Sequence, residues 1–320
     1  MLLQGKVALI SGAGRGLGRA HALALAAAGA TIIVNERGQR GPGVGASEDA
    51  QTAASTVAEI TAAGGKAFSN PCDIASWQDA HVLVDDTVAR HGRLDILINN
   101  AGICRMSAFG SLQEDDWDAI MNVNAKGTAA LINAAARHWQ NAPPATGRAV
   151  VNTASPQGAH PVFPIGLYSA SKAAVLALTQ VAASELAGLG VRVNALAPIA
   201  RTRMVGTATN ALKTMPVDPE FDRFLPEHVA QMVLYLVSPL CKFTGRLFGA
   251  KGDEAVLYAE WDAAFHTNNA RRQWTPETLA LAFRDAPLQD QRSTFAPHGS
   301  MAPEPSPTDE TLASLQGVNT

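Results

Sequence analysis

Short apolar runs alternate with longer helix-like segments along most of the chain, and this alternation limits the possible folds more than any other feature of the sequence. The runs are rich in Val, Ile and Leu and are apolar on both faces, which is typical of strands in a parallel sheet covered by helices on both sides. The pattern therefore predicts an α/β fold with a doubly wound parallel sheet. The expected strands, about seven in all, cover residues 6–10, 31–34, 67–70, 94–98, 148–153, 191–196 and 246–249.

Helix signals lie between these runs. Ser76 is a favoured helix N-cap and Gly92 is a favoured helix end, so they bound one helix between them. The other expected helices cover residues 16–28, 46–63, 113–140 and 166–189. Beyond the last predicted strand the alternation stops. We therefore divide the chain into a sheet domain, residues 1–253, and a C-terminal extension, residues 254–320, which is partly helical and ends in a mobile Pro/Ser-rich tail.

Composition excludes several classes of protein. The 320-residue chain is 47% hydrophobic and 17% charged, unlike a disordered chain, and its net charge of −3 lacks the basic excess of a nucleic-acid-binding protein. No signal-peptide pattern is present and no apolar run reaches the about 18 residues of a membrane span, so we expect no membrane partner. Cys72, Cys104 and Cys241 match no disulfide or metal-binding spacing, which indicates a cytoplasmic protein without a metal site.

A glycine-rich turn follows the first predicted strand. Gly12, Gly16 and Gly18 fit the spacing GxxxGxG, whereas the spacing GxGxxG does not fit. Glycines at these points permit a tight turn, a close approach of the backbone to a pyrophosphate, and a helix N-terminus directed at its negative charge. A plain strand–helix turn can also be rich in glycine. The position between a buried strand and an Ala-rich helix favours a dinucleotide site in a Rossmann-type sheet.

Glu36 ends the second predicted strand. A carboxylate at this point would accept hydrogen bonds from both hydroxyls of an adenosine ribose and would repel a 2′-phosphate, which favours NAD over NADP. Arg37 and Arg40 follow closely and could pair with a 2′-phosphate, so NADP remains the less favoured alternative.

Tyr168 and Lys172 are four residues apart, so they lie on one face of a predicted helix. A free tyrosine has a pKa of about 10, and a nearby ammonium group favours the phenolate and lowers that pKa. The pair could exchange a proton with an alcohol or carbonyl oxygen, although this spacing alone is more often a surface contact. Ser155 follows the fifth predicted strand, at the sheet edge where ligands bind. Asn124 occupies a helix interior, where Asn is disfavoured.

Together these motifs resemble those of the classical short-chain dehydrogenases/reductases, in the same order and spacing, over residues 5–252. The motifs are Gly12-x-x-x-Gly16-x-Gly18, Asn99-Asn100-Ala101-Gly102, Asn124, Ser155 and Tyr168-x-x-x-Lys172. The resemblance implies an enzyme that interconverts a secondary alcohol and a ketone by hydride transfer with a nicotinamide cofactor.

The resemblance also implies a role for each matching residue. Tyr168 would be the general acid/base, and Ser155 would hydrogen-bond the substrate oxygen. Lys172 would lower the Tyr168 pKa and hold the nicotinamide ribose, and Asn124 would hold a water in a proton relay to Lys172. The implied cofactor contacts are Gly12, Arg15, Gly16, Leu17, Gly18, Glu36, Asp73, Ile74, Asn100, Ala101, Gly102, Tyr168, Lys172, Pro198, Ala200 and Thr202.

A narrower resemblance concerns the substrate. Segments 34–38 and 194–204 are similar to those of the (3R)-hydroxyacyl-CoA dehydrogenase modules of peroxisomal multifunctional enzymes, a subgroup that overlaps with 17β-hydroxysteroid dehydrogenases. This implies a 3-hydroxyacyl-CoA substrate, with a hydroxysteroid or another bulky hydrophobic alcohol as the alternative. Residues 160–164 would form an apolar pocket wall, and residues 201–224 a lid whose cations could meet CoA phosphates. The lid cations are Arg201, Arg203, Lys213 and Arg223.

Two other classes of protein fit part of the sequence. A methyltransferase that binds S-adenosylmethionine can have a similar turn and acidic strand end, but it leaves Ser155, Tyr168 and Lys172 unexplained. A cofactor-sensing protein on the same fold would be catalytically silent, yet such proteins typically lack the Tyr or the Lys. The resemblance further implies a homodimer or homotetramer, in which the helices that hold Asn124 and Tyr168 pair across a two-fold axis.

Overall fold

A computed structural model describes residues 1–37, 48–143, 145–202 and 217–259 of the chain. The strands in these ranges are β1 (Val7–Ser11), β2 (Thr31–Asn35), β3 (Lys66–Asn70), β4 (Ile96–Asn99), β5 (Arg148–Thr153), β6 (Val191–Pro198), β7 (Leu247–Lys251) and β8 (Glu254–Leu257). They form one sheet in the order β3-β2-β1-β4-β5-β6-β7-β8. Neighbouring strands are parallel except for the antiparallel pair β7–β8, so the predicted doubly wound parallel sheet is confirmed.

Helices cover both faces of this sheet. They are α1 (Gly16–Ala27), α2 (Glu48–Ala62), α3 (Trp77–His91), α4 (Glu114–Ile120), α5 (Gly127–Asn141), α6 (Pro156–Ala159), α7 (Gly166–Glu185) and α8 (Pro226–Val237). Successive residues of β1 point to opposite faces. Ala8 and Ile10 pack in one apolar cluster with α1 and α8, whereas Leu9 packs in a second cluster with α3 and α5. The chain thus has one core on each side of the sheet.

The sheet order reverses between β1 and β4. The chain runs outward from β1 through β2 to β3, then returns to β4 on the other side of β1 and continues outward to β7. In such sheets a crevice opens at the carboxyl ends of the two strands where the order reverses, and ligands bind there. The turn after β1, the loop after β4 and the loop after β5 therefore meet at one edge.

Local signals predicted most element ends well. Ser76 caps α3 by accepting a hydrogen bond from the Asp79 backbone N–H at 3.2 Å, and Gly92 ends the helix with φ +73°. The helix predicted over residues 113–140 is interrupted, because a π-helical segment (Met121–Lys126) separates α4 from α5. Helices α6 and α8 and strand β8 were not predicted.

Strand β8 lies within the residues that sequence analysis assigned to the extension, so the sheet continues past Asp253. The division into residues 1–253 and 254–320 otherwise stays a prediction, because residues 260–320 lie outside the described ranges. Among the described helices, none has both the length and the apolar character required to cross a bilayer. In the same ranges, no cluster of three or more His, Cys, Asp or Glu side chains is placed to hold a metal ion.

Candidate active site

The glycine-rich turn after β1 has the geometry that its sequence requires. Gly12 and Gly16 have φ values of +63° and +54°, which other residues rarely adopt. A Cβ at Gly12 would lie 2.9 Å from the Ala101 Cα, and a Cβ at Gly18 would overlap the Gly12 carbonyl oxygen. No side-chain hydrogen bond from Arg15 caps α1. The turn therefore leads into a helix N-terminus that no Arg15 side chain caps, which fits a pyrophosphate.

The loop after β4 is tied to this turn. Ser11 Oγ accepts hydrogen bonds from the backbone N–H groups of Asn100 and Ala101, both at 3.1 Å. Asn100 Nδ2 donates to the carbonyl oxygens of Ser11 and Gly12, both at 2.9 Å. These bonds place Asn100 and Ala101 directly beside the turn, and the predicted cofactor contacts of Asn100, Ala101 and Gly102 stay a prediction.

Glu36 lies at the end of β2 and turns toward the glycine-rich turn. Its Oε2 accepts a hydrogen bond from the Gly14 backbone N–H at 3.0 Å. Thr56 Oγ1 donates to the Gly14 carbonyl oxygen at 3.1 Å and closes the other side of this residue. Arg37 is exposed next to Glu36, and Arg40 lies outside the described residues. The structure thus brings the predicted ribose-binding carboxylate to the predicted phosphate-binding turn.

Asp73 and Ile74 follow β3 at the same edge. Asn35 Nδ2 donates to the Cys72 carbonyl oxygen at 2.9 Å and links this loop to β2. Asp73 Oδ1 accepts a hydrogen bond from the Ala75 backbone N–H at 3.0 Å. Ile74 is buried and packs so closely on α5 that a Cβ at Gly127 would lie 2.8 Å from its Cδ1.

The segment after β6 returns to the turn. Pro198 ends β6, Ala200 is buried, and a Cβ at Gly16 would lie 3.6 Å from Thr202 Cγ2. The predicted nicotinamide contacts Pro198, Ala200 and Thr202 are therefore on the same side of the sheet as the glycine-rich turn. Most of the predicted lid, residues 203–216, lies outside the described residues.

Tyr168 and Lys172 lie one turn apart on α7, and Ser155 reaches them from the end of β5. Ser155 is near enough to the Tyr168 hydroxyl to favour its phenolate form. Lys172 Nζ is 5.7 Å from the centre of the Tyr168 ring and donates to the Thr153 carbonyl oxygen at 2.6 Å. A Cβ at Gly102 would lie 3.5 Å from Lys172 Nζ. The predicted proton-transfer residues are thus assembled between the loop after β4 and the end of β5.

The pKa of Tyr168 shifts in the direction opposite to the sequence prediction. Burial raises the pKa of Tyr168 to about 12, although its hydrogen bond with Ser155 opposes the rise. Burial also lowers the pKa of Lys172 to about 8, which disfavours the ammonium that was expected to stabilise the phenolate. Desolvation therefore decides the direction of the Tyr168 shift, and the phenol is protonated at neutral pH.

Asn124 lies in the π-helical segment, which explains why a residue disfavoured in helices stands there. Its buried side chain holds the loop after β4: Oδ1 accepts from the Ile103 N–H at 2.9 Å, and Nδ2 donates to the Ile103 carbonyl oxygen at 3.0 Å. Nδ2 also donates to Ser171 Oγ on α7 at 2.9 Å. A π-helical turn often occurs at a functional site. The water-holding role predicted for Asn124 remains a proposal.

Sequence reasoning missed two side chains in this site. Ser155 Oγ donates to Gln157 Oε1 at 2.5 Å and accepts from the Gln157 backbone N–H at 3.3 Å. Cys104, in the loop after β4, interacts electrostatically with Tyr168 and Lys172, and burial raises its pKa to about 11. The signal for Gln157 was present, because Ser before Pro is a typical N-cap and brings the next residues of the short helix back toward its hydroxyl.

An apolar rim surrounds the opening. The Ser107 backbone N–H donates to the Pro164 carbonyl oxygen at 3.0 Å, which joins the segment after β4 to the predicted pocket wall. Phe109 and Phe163 are 81% and 70% exposed on these two segments, and Met106 is exposed beside them. Large exposed apolar side chains of this kind can mark a ligand-binding or protein-binding surface.

Comparisons with known proteins agree with this geometry. Residues 6–213 match the family model described as short chain dehydrogenase. The chain is 35% identical over 292 residues to the hydroxyacyl-CoA dehydrogenase ChsB1 of Mycobacterium tuberculosis, covering 88% of this chain and 89% of that protein. It is 36% identical over 244 residues to the peroxisomal multifunctional enzyme type 2 of Mus musculus, covering 76% of this chain but only 31% of that longer protein.

A solved structure matches as well. The crystal structure of a short chain dehydrogenase from Burkholderia cenocepacia in complex with NADP superimposes with a TM-score of 0.67 and 31% identity, covering 79% of this chain and 98% of that one. Family, fold and assembled residues agree, and so the chain belongs to the short-chain dehydrogenases, in the subgroup similar to hydroxyacyl-CoA and 17β-hydroxysteroid dehydrogenases, and is an NAD(P)-dependent oxidoreductase.

Proposed function

We propose that this chain oxidises the hydroxyl group of 3-hydroxyacyl-CoA thioesters with NAD, with Tyr168 as the general acid/base. The observation that carries the proposal is the meeting of Tyr168, Ser155 and Lys172 beside the glycine-rich turn. The apolar rim and the names of the relatives support an acyl-CoA substrate.

In the oxidising direction, Tyr168 takes the proton of the alcohol, and Ser155 hydrogen-bonds the same oxygen as its charge changes. Hydride acceptance is the chemistry that a bound nicotinamide supplies. In the reducing direction, Tyr168 returns its proton to the ketone oxygen. Because burial keeps Tyr168 protonated at neutral pH, the acid needed for reduction is ready there, whereas oxidation requires the phenolate.

The residues fit a dinucleotide. The backbone of Gly12, Gly16 and Gly18 and the start of α1 would hold the pyrophosphate. A Cβ at Gly12 or Gly18 would clash with the loop after β4 or with the turn itself, so only glycine permits this tight turn. Glu36 would hold the adenosine ribose, and the loop after β3 would contact the adenine. Thr202 and its neighbours after β6 would hold the nicotinamide end.

Glu36 supports NAD as the preferred form. The carboxylate is half-buried and within 3.0 Å of the Gly14 N–H, so a 2′-phosphate at the neighbouring ribose would meet its charge. Arg37 is exposed and adjacent, which is the arrangement that could favour a 2′-phosphate instead. We propose that the Glu36 carboxylate, which is held in place by Gly14, outweighs Arg37 in cofactor preference, so that NADP is the poorer cofactor.

The predicted lid cations do not all support binding of CoA phosphates. Arg201 pairs with Asp222 at 3.4 Å, and Arg223 pairs with Asp253 and Glu254. Acidic partners thus neutralise both charges. Arg203 and Lys213 lie outside the described residues.

The test is a substrate screen with NAD and NADP in parallel, over 3-hydroxyacyl-CoA thioesters, 17β-hydroxysteroids and simple aryl alcohols, measured as NADH or NADPH absorbance. The proposal predicts the highest kcat/KM with a 3-hydroxyacyl-CoA and NAD. Preference for a steroid would support the alternative substrate class. Binding of NAD without turnover of any alcohol would support a cofactor-sensing protein and contradict the proposal.

We further propose that two copies of the chain pair through α5 and α7. A groove of about 560 Å³ between the π-helical segment, α5 and α7 is lined mainly by apolar side chains, and Val181 on its edge is 55% exposed. Small residues such as Ala129 and Ala177 allow a second helix pair to approach closely. Light scattering should give the molar mass of a dimer or tetramer for the wild-type chain and a smaller mass for Ala177→Glu. A monomeric wild-type chain would contradict the proposed pairing.

A further inference from the structure

The only proton of the Ser155 hydroxyl is donated to Gln157 before any substrate binds. A serine hydroxyl has one proton to donate and two lone pairs that accept. The proton goes to Gln157 Oε1 at 2.5 Å, and one lone pair accepts the Gln157 backbone N–H at 3.3 Å. Among the described residues, no partner is bonded to the remaining lone pair. Gln157 therefore shares the oxygen that the proposed reaction uses.

The other end of the Gln157 amide is available. Its Nε2 carries two N–H donors, and no acceptor among the described residues is bonded to it. The residue is half-buried, so part of its side chain is open to solvent. Since Nε2 and Oε1 share one carbon atom, the free donors lie next to the place where Ser155 and Tyr168 would hold a substrate oxygen.

We propose that Gln157 determines substrate specificity by donating from Nε2 to a carbonyl oxygen two carbons away from the reacting carbon. The inference rests on the proposed function and deepens it. In a 3-hydroxyacyl thioester the hydroxyl oxygen and the thioester carbonyl oxygen stand on alternate carbons and can point the same way. On substrate binding, Ser155 would turn its proton from Gln157 to the first oxygen, beside Tyr168, and the released Gln157 would donate to the second.

The proposed hydrogen bond from Gln157 Nε2 selects against other alcohols. A simple secondary alcohol has no second oxygen, so Gln157 would keep its hydrogen bond with Ser155 and its Nε2 donors would remain unused. In a steroid the second oxygen is a whole ring system away from the first. Cys104 cannot replace the amide, because burial raises its pKa and leaves it a thiol, which is a weak donor.

Two CoA substrates that differ in one group test the contact. The first is (3R)-3-hydroxybutanoyl-CoA, and the second is its thioether analogue, in which a CH₂ group replaces the thioester carbonyl. We expect the wild-type enzyme to oxidise the thioester with a kcat/KM about tenfold higher than the thioether, as for one uncharged hydrogen bond. Gln157→Glu keeps an acceptor for Ser155 but removes the N–H donors, and Gln157→Leu removes both.

In both variants the kcat/KM on the thioester should fall about tenfold, and the kcat/KM on the thioether should change much less. The ratio of thioester to thioether kcat/KM should therefore fall toward one. Equal losses on both substrates would mean that Gln157 only orients Ser155, which would overturn the inference. If a variant does not fold, the wild-type enzyme alone still tests the inference. A wild-type kcat/KM that is equal on the thioester and the thioether would overturn it. A wild-type enzyme that oxidises neither substrate with NAD or NADP would overturn the proposed function itself.

Discussion

The two sides of the crevice are built in different ways. On the cofactor side, backbone atoms and glycines form the surface, and buried hydrogen bonds such as those of Asn100 to Ser11 and Gly12 fix it. On the substrate side, side chains form the surface, and Phe109 and Phe163 stand largely exposed at its rim. A surface of backbone atoms suits a cofactor that is the same for every substrate. A surface of side chains can be altered one residue at a time to bind different alcohols.

This difference predicts that the cofactor side tolerates almost no change. Gly18→Ala would drive a Cβ into the Gly12 carbonyl oxygen and to 2.6 Å from Asn100 Nδ2. We expect NAD binding to weaken by about tenfold to a hundredfold and stability to fall by about 1–3 kcal/mol. Isothermal titration and urea unfolding measure the two effects. Gly188→Ala is the matched control, since nothing lies within 4 Å of its Cβ; equal effects from both variants would contradict the close approach.

On the substrate side, the raised pKa of Tyr168 predicts a strong pH dependence. Oxidation needs the phenolate, and below a pKa of about 12 its fraction rises about tenfold for each pH unit. The kcat/KM for alcohol oxidation should therefore rise steeply from pH 7 to pH 10, while reduction, which needs the protonated phenol, stays nearly constant. Initial rates in both directions measure this. A flat oxidation profile over that range would mean that another group accepts the proton.

Glu36 tests whether one side chain can also tune the cofactor side. Glu36→Gln keeps the shape but removes the charge that would repel a 2′-phosphate, so the ratio of kcat/KM for NADP over NAD should rise about tenfold. Glu185→Gln on α7 makes the same charge change far from the turn and serves as the control. If the ratio does not move in Glu36→Gln, the carboxylate does not select the cofactor.

The cofactor side also contains a destabilising feature in α1. His21 is fully buried, neither ring nitrogen has a hydrogen-bond partner among the described residues, and burial lowers its pKa to about 3. The unfolded chain titrates near pH 6.5, so it binds more protons than the folded chain between these values. Folding stability should fall by about 1.4 kcal/mol per pH unit as the pH drops below 6.5. His21→Leu should reduce that slope in urea unfolding at pH 7, 6 and 5; an unchanged slope would exclude His21.

The same contrast governs what the sequence could predict. The cofactor side depends on local rules, because a glycine spacing, a strand end at Glu36 and an N-cap at Ser76 can be read within a few residues. The substrate side depends on contacts between distant segments. Asn124 lies in a π-helical turn and bonds the distant loop at Ile103, and the Tyr168 pKa depends on burial by the whole fold. Neither follows from spacing alone.

Strand β8 and helix α8 were missed for related reasons. β8 is four residues long and is held by its antiparallel pairing with β7. Helix α8 starts at Pro226, a favoured first helical residue, so a local signal for it was present and was not used.

The central claim is that Tyr168, placed near Ser155 and Lys172, transfers the proton on the substrate side through its hydroxyl, which the cofactor does not need for binding. Tyr168→Phe removes only the hydroxyl oxygen, so it tests the claim most directly. The kcat for alcohol oxidation should fall by about 10²–10⁴-fold, with NADH binding, followed by fluorescence, essentially unchanged. Turnover near the wild-type rate in Tyr168→Phe would contradict the account.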